Sequence, residues 1–490
     1  MYILKVFYLF LMTNIVFSLS ISLDTAERVV DNFININKNK NLQINYSIEK
    51  VTEIIDDSKI IIYHFDLYPH GNIMVSAYDQ ITPILAYSFL NEFPLNAMPD
   101  NVAWFMRKYK QYINAAIINN NDVRHKKWDD LLHIADLERT NKYFVEPLLK
   151  ANFDQDGGWN NECPSGSCNN DEALVGCVAV SMAQIMHYWK YPVSGLGNYS
   201  YTHSEFGNID VDFSNVIYDY DAMGDGLIPS QAAALLLFHA GASVNMDYGC
   251  DESGAFVVGS SGPTAQVALE NYFLYDKNID NAYRSNFSDD EFINLLKNEL
   301  DSNRPMIYAG YDEECCDEAA GHAWNCDGYD EFDMFHMNWG WGGNYNSYFA
   351  LSNISSSGYT FSEGQSILYN IQPASLNHPN LVIDSYVLSD IMGDNDNVIN
   401  PGETFNLEVS IYNKPPWSSA HSIELVISSL DEELYIDDYY SIYHSSSIME
   451  SGSLITNSLS PFKISVDSNA KLEKKALNLM TMGIGLNDLD

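Results

Sequence analysis

Three residue types able to share one reaction are spread along this 490-residue chain in a fixed order. Cys177 follows Gly176 at the head of GCVAVSMAQIMHYWKYP, and His322 follows Gly321 in GHAWNCDGYD. Asn338 and Trp339 come further on, in HMNWGWGG. A cysteine attacks as its thiolate, which needs an imidazole to hold the ion pair and a third group to orient that imidazole. Cysteine first, with histidine and asparagine well downstream, is an order that suits such a constellation. The bland alternative is a buried structural thiol at a helix start.

The elements around these residues can position them. Met182, Ile185, Met186 and Trp189 form an i, i+3, i+4, i+7 stripe behind Cys177, and Pro192 closes the helix. A thiol in the first turn faces unpaired N–H groups and the positive end of the macrodipole, both of which favour thiolate. Gly176 leaves room for a substrate backbone. GHAWNCDGYD and MFHMNWGW read as two strands joined by a short acidic turn, able to pair as a hairpin. QAAALLLFHAGASV and FINLLKNEL read as a buried and an amphipathic helix, so residues 145–375 form an α+β domain.

The rest of the chain has a different grammar. Residues 1–20 follow the pattern of a secretory signal peptide, with Lys5 ahead of an apolar run and Ser18-Leu19-Ser20 at its end. Residues 21–115 form an α+β unit: KIIIYHFDL and NIMVSAYD flank a Pro69-His70-Gly71 turn, and VAWFMRKYKQYI has helical spacing. Residues 116–144, Asn-rich and then basic (RHKKWDD), read as an exposed connector. From 376 to 490 short alternating segments broken by Gly, Asn, Pro and Ser read as an all-β, immunoglobulin-like sandwich. The formal charge is −41, and residues 151–374 carry 32 acidic against 5 basic side chains. Such a chain excludes nucleic acid as a partner, because phosphate binding needs clustered Lys and Arg. No later stretch is apolar enough to span a membrane.

The order of cysteine, histidine and asparagine is that of the papain type. Four blocks, GCVAVSMAQIMHYWKYP, GASVNMDYG, GHAWNCDGYD and FHMNWGWGGNYNSYF, together resemble the streptopain-like cysteine peptidases, a bacterial branch with a papain-like fold. MVSAYDQITPILAYS and MPDNVAWFMRKY resemble that family's inhibitory prosegment. The resemblance implies Cys177 as nucleophile and His322 as its base. Whether Asn338 orients the imidazole or Trp339 shields it stays open. It also implies an oxyanion donor in FDQDGGWNNECP, where Gln155 matches and Asn161 is the weaker candidate; Gly157-Gly158 depart from the family pattern. An apolar side chain two positions before the cut is implied, with Met246 and Tyr248 near its pocket and Gly176 and Gly321 beside the substrate.

The whole reads as a secreted cysteine endopeptidase made as a zymogen, extracellular or attached to a cell surface. Its partners are protein or peptide substrates and its own prosegment as an intramolecular inhibitor, with activation by cleavage within 116–150. No cofactor and no metal is expected. Two alternatives use the same scaffold: a catalytically inactive binding protein, and an acyltransferase or amidase. Setting Cys177 aside leaves six cysteines, an even set read as disulfides in an exported chain, with fifteen possible pairings. A zinc site at Cys163 and Cys168 is the lesser reading. The carboxylate-rich loop 393–403 lacks calcium-loop spacing and reads as a solvated turn.

Overall fold

The computed structural model describes residues 20–37, 44–96, 98–119, 124–133, 144–168, 171–259, 262–311, 321–351, 364–374, 379, 381–393, 399–413, 417–429, 431–437, 440–442, 448–471 and 477–485. Almost all of the signal-peptide stretch, the adjacent Cys315 and Cys316, and much of the 393–403 loop lie outside these residues. The chain divides into two compact units, Met1–Gln372 and Pro373–Asp490. Among the described residues no helix is long and apolar enough to cross a membrane.

The first unit begins with α1 (Leu23–Asn37), β1 (Ser47–Asp56), β2 (Lys59–Tyr68), β3 (Asn72–Ser76), β4 (Ile84–Ser88), α2 (Asp100–Asn119) and α3 (Lys127–Leu132). A small hairpin of β5 (Ser165–Cys168) and β6 (Asp171–Glu172) then precedes α4 (Cys177–Trp189). Next come β7 (Asn198–His203), β8 (Gly207–Asp212), α5 (Gln231–Ser243), α6 (Ala265–Asn271), β9 (Asp280–Tyr283) and α7 (Asp289–Asp301). The unit ends with β10 (Met306–Tyr311), β11 (Gly321–Tyr329), β12 (Met334–Asn338), β13 (Ser347–Ala350) and β14 (Gln365–Tyr369).

Local chemistry sets these boundaries. Ser288 and Glu291 form a reciprocal capping box at the start of α7, and Ser230 caps α5. Helix α4 stops at Lys190, which takes the left-handed conformation two residues before Pro192. As the sequence suggests, β11 and β12 pair antiparallel, with Asn325 opposite Asn338.

One ten-stranded sheet runs in the order β1-β2-β3-β4-β13-β12-β11-β10-β14-β9. The N-terminal strands therefore extend the sheet of the following domain, through only two partner pairs, Tyr348↔Tyr87 and Phe349↔Ala86. A single apolar core joins α1 and α2 (Val30, Phe33, Trp104, Phe105) to the later strands (Trp324, Phe335, Trp339, Phe349).

The exposed connector expected over 116–144 is corrected by the structure. Helix α2 continues to Asn119, and residues 124–133 are docked on the N-terminal strands. Trp128 is fully buried, and its indole N–H donates to the Ile81 carbonyl at 2.7 Å. The His125 N–H donates to Asp79 O at 2.7 Å, and Lys127 Nζ donates to Phe332 O at 2.9 Å. The basic run hides one tryptophan whose apolar area outweighs the surrounding charge.

The second unit is all-β. A five-stranded sheet contains β15 (Leu381–Met392), β16 (Thr404–Asn413), β18 (Leu434–Ile436), β20 (Leu454–Thr456) and β21 (Phe462–Val466). A three-stranded sheet contains β17 (Ala420–Ser428), β19 (Tyr440–Ile442) and β22 (Asn478–Gly485). Phe405, Leu407, Val409 and Ile411 of β16 share one core with Ile423, Leu425 and Ile427 of β17. The alternating burial along both strands is that of sheets with one face inward.

Candidate active site

Cys177 is the first residue of α4, and Gly176 sets it there with φ of +89°. A Cβ at Gly176 would meet the Met246 side chain at 2.6 Å and the Ser253 carbonyl at 3.1 Å, so only glycine fits. Residues 174–176 are held by the 247–254 loop: Leu174 N donates to Gly249 O, and the Ser253 hydroxyl donates to Leu174 O at 2.8 Å. A disulfide between Cys168 and Cys250 ties that loop to the β5–β6 hairpin.

Burial pushes the Cys177 thiol above its ordinary range, although the residue as a whole is only half-buried. The backbone N–H groups of Ala323, Val178 and Cys177 pull the other way, and the Asp100 carboxylate at the start of α2 raises it further. The sulfur therefore has backbone N–H groups that favour its anion, against burial first and the Asp100 carboxylate second.

The β11 group that meets the sulfur is the Ala323 N–H, next to His322. Alternation along β11 puts His322 and Trp324 on the face covered by α2, and Ala323 and Asn325 on the face covered by α4. The His322 ring lies against Trp104 of α2, with centroids 6.1 Å apart. Trp104 fits because the residue paired with His322 across the strands is Gly310, where a Cβ would meet the indole at 2.5 Å. Asn101, one helical turn earlier, donates to the carbonyls of Ala323 and Trp339 at 3.1 and 3.0 Å. Its Oδ1 accepts from the Trp341 indole at 3.0 Å.

Gln155 is buried, and its carbonyl accepts from Val175 N at 3.0 Å, two residues before Cys177. Asn161 lies exposed in the following turn. Asn338 is employed away from the imidazole. Its Oδ1 accepts from Gln184 Nε2 and Gly340 N, each at 3.2 Å, and its Nδ2 donates to Ala151 O at 3.1 Å. The strand register explains this: Asn338 faces Asn325, about 10 Å along β11 from His322. Trp339 stacks between Trp324 and Phe105, at 4.8 and 5.4 Å between centroids.

Of the expected substrate-side residues, Met246 touches Gly176, and Gly321 opens β11 opposite Tyr311. Tyr248 turns toward Gly241 and donates to Phe238 O at 3.3 Å. The even set of six disulfide cysteines is also corrected. Cys163 and Cys326 are free and buried, and burial raises both thiols. Among the described residues no group of three or more His, Cys, Asp or Glu side chains is placed to hold a metal ion.

A cysteine at a helix start, a neighbouring histidine strand and a preceding segment packed on that strand are the features to compare with known proteins. Residues 153–349 match the peptidase C10 family, and residues 18–113 match the Spi protease inhibitor. Over these stretches the chain is similar to the peptidase C10 family and, ahead of it, to the Spi inhibitor. Thiol protease/hemagglutinin PrtT of Porphyromonas gingivalis is 31% identical over 338 residues, covering 64% of this chain and 37% of that protein. Streptopain of Streptococcus pyogenes is 29% identical over 320 residues, covering 60% and 75%. A prointerpain A fragment of Prevotella intermedia, solved as a mutant, has a TM-score of 0.52 at 25% identity, over 65% of this chain and 97% of the fragment. The match thus spans little more than a third of the PrtT relative.

Sequence reasoning does not single out Asp100, Asn101, Trp104, Gly310 or Gln184. MPDNVAWFMRKY is legible as prosegment, but nothing in it tells which side chains meet the histidine strand. Gly310 gives no signal, since its role exists only with Trp104 against it.

Proposed function

We propose that this protein, similar over residues 153–349 to the peptidase C10 family, is a secreted cysteine endopeptidase made as a zymogen. Cys177 attacks the peptide carbonyl, and His322 protonates the leaving amine and then activates water to release the acyl group. The Cys177 N–H and the Gln155 side chain stabilise the oxyanion. Met246 walls the pocket for an apolar substrate side chain.

What supports this reading is Cys177 at the start of α4, its thiol raised first by burial and lastly by Asp100 of the inhibitor-like segment, with the Ala323, Val178 and Cys177 N–H groups favouring the anion. Such a site is prepared for a thiolate and held short of it mainly by burial. Residues up to about 115 act as the inhibitor. The docked 124–133 stretch extends that hold, so activating cleavage falls on its C-terminal side, before about residue 150. The second unit serves as an immunoglobulin-like accessory domain for surface attachment or substrate targeting, supported by its two sheets around one core.

The test is Cys177→Ala in the full-length chain. It should fold, accumulate as uncut precursor and hydrolyse no casein after trimming by active wild-type enzyme. Retention of more than a few per cent of wild-type activity would remove Cys177 as nucleophile.

A further inference from the structure

Beneath the site lies a buried polar cluster that the reaction as described does not use. Gln184 is on α4 two turns beyond Cys177, hence on the same face of the helix. Gln184, Asn325 and Asn338 are at most 1% exposed. Gln184 Oε1 accepts from Phe153 N at 3.2 Å, and its Nε2 donates to Asn325 Oδ1 at 2.9 Å and Asn338 Oδ1 at 3.2 Å. Asn325 Nδ2 donates to the carbonyls of Ser181 and Met306 at 3.1 and 3.3 Å. Asn338 Nδ2 donates to Ala151 O at 3.1 Å.

The bonds admit one orientation of all three amides. A backbone N–H fixes the oxygen of Gln184, and backbone carbonyls fix the NH₂ groups of both asparagines. Those anchors belong to α4, which carries Cys177, to β10, which carries Gly310, and to the 151–153 segment leading into Gln155, while Asn325 itself stands on β11 with His322. One side chain thus bonds every segment that supplies a reacting group.

We propose that Gln184 is a positioning residue for the peptidase reaction: through Asn325, Asn338 and Phe153 N it sets the spacing of the Cys177 helix, the His322 strand and the Gln155 segment. Asn338 belongs to this device and is not the orienter of the imidazole. The inference rests on the peptidase reading for its kinetic arm only. Placement errors of about 1 Å far from the chemistry cost up to about 10²-fold in rate.

The experiment compares processed wild type with Gln184→Met, whose side chain keeps the length and loses the bonds, after thermal unfolding has shown the variant folded. Turnover of a fluorogenic peptide should fall about 10²-fold with KM changed less than about twofold. The pH midpoint for Cys177 alkylation by iodoacetamide should rise in the variant, because a displaced imidazole no longer supports the thiolate. A folded variant with wild-type turnover and an unchanged alkylation midpoint overturns the inference. If Gln184→Met does not fold, Asn338→Ser, which removes the β12 arm and its ties to Ala151 O and Gly340 N, is held to the same two readouts, and wild-type values of both overturn the inference in the same way. A processed wild type lacking Cys177-dependent hydrolysis would instead overturn the peptidase reading, while the alkylation midpoint would still judge the role of Gln184.

Discussion

The two faces of strands β10, β11 and β12 are built from different chemistry. Against α4 the strands present amides: Gln184 reaches Asn325 at 2.9 Å and Asn338 at 3.2 Å, and each side chain is tied to backbone. Against α2 they present rings. Trp104 lies 5.9 Å from Trp324, Phe105 5.4 Å from Trp339, and the two strand tryptophans 4.8 Å from each other. Hydrogen-bonded amides demand a single register, and a broken member leaves its partners unsatisfied at roughly 1–3 kcal/mol each. Ring packing has no such demand. Among the described residues the Trp324 and Trp339 indole N–H groups are buried without a hydrogen-bond partner. The α4 contact is made of directional bonds, whereas the α2 contact is mainly apolar area, to which Asn101 adds three hydrogen bonds.

The largest test of this contrast is Trp104→Ala. Removing a buried tryptophan costs about 3–5 kcal/mol. Full-length precursor with this change should process itself on the order of 10²-fold faster, followed as the half-time of precursor loss on gels. An unchanged half-time would mean that the ring face does not hold the segment. Gly310→Ala acts from the other side of the same contact. Its Cβ would press into the indole at 2.5 Å, and overpacking of this kind costs about 1–3 kcal/mol. The expected acceleration is about tenfold, and the double variant should add little, since both remove one contact.

A smaller effect belongs to the seam where β4 meets β13. Tyr87 donates to Asp330 Oδ2 at 2.6 Å and stacks on Tyr348 at 5.1 Å. Tyr87→Phe keeps the ring and removes one buried hydrogen bond, so processing should quicken severalfold and by less than with Trp104→Ala.

The smallest effect is a pH dependence. Burial raises the Asp330 carboxyl to about 6, with the Tyr87 hydrogen bond opposing. A carboxyl whose native pKa lies above its unfolded value favours the folded state at low pH. That contribution is complete below about pH 4 and is lost as pH rises through about 6. The melting temperature of Asp330→Asn minus that of wild type should therefore climb between pH 4 and 7. A flat difference would show that Asp330 does not carry its proton into the fold.

Much of this arrangement is legible in the sequence. The stripe behind Cys177, the β11–β12 hairpin and the composition break near the second unit follow from periodicity, which local sequence records. The Gln155 segment carries its own motif. What stays hidden depends on pairings across hundreds of residues. From sequence Asn338 is a candidate partner of His322, because sequence order is silent on register, and the register gives it to Gln184. Residues 124–133 look exposed because charge dominates their composition, while one tryptophan decides their packing.

The central claim is that the N-terminal segment keeps Cys177 a protonated thiol and that its removal frees a thiolate. It is tested most directly by the rate of iodoacetamide alkylation of Cys177 at pH 7, read by mass spectrometry, in the full-length chain and in the processed chain. Buried Cys163 and Cys326 serve as internal references that should stay unlabelled in both. The account predicts at least about a tenfold faster reaction of Cys177 after processing, as its pKa falls into the range of helix-start thiolates paired with imidazole. Equal rates before and after processing would contradict it.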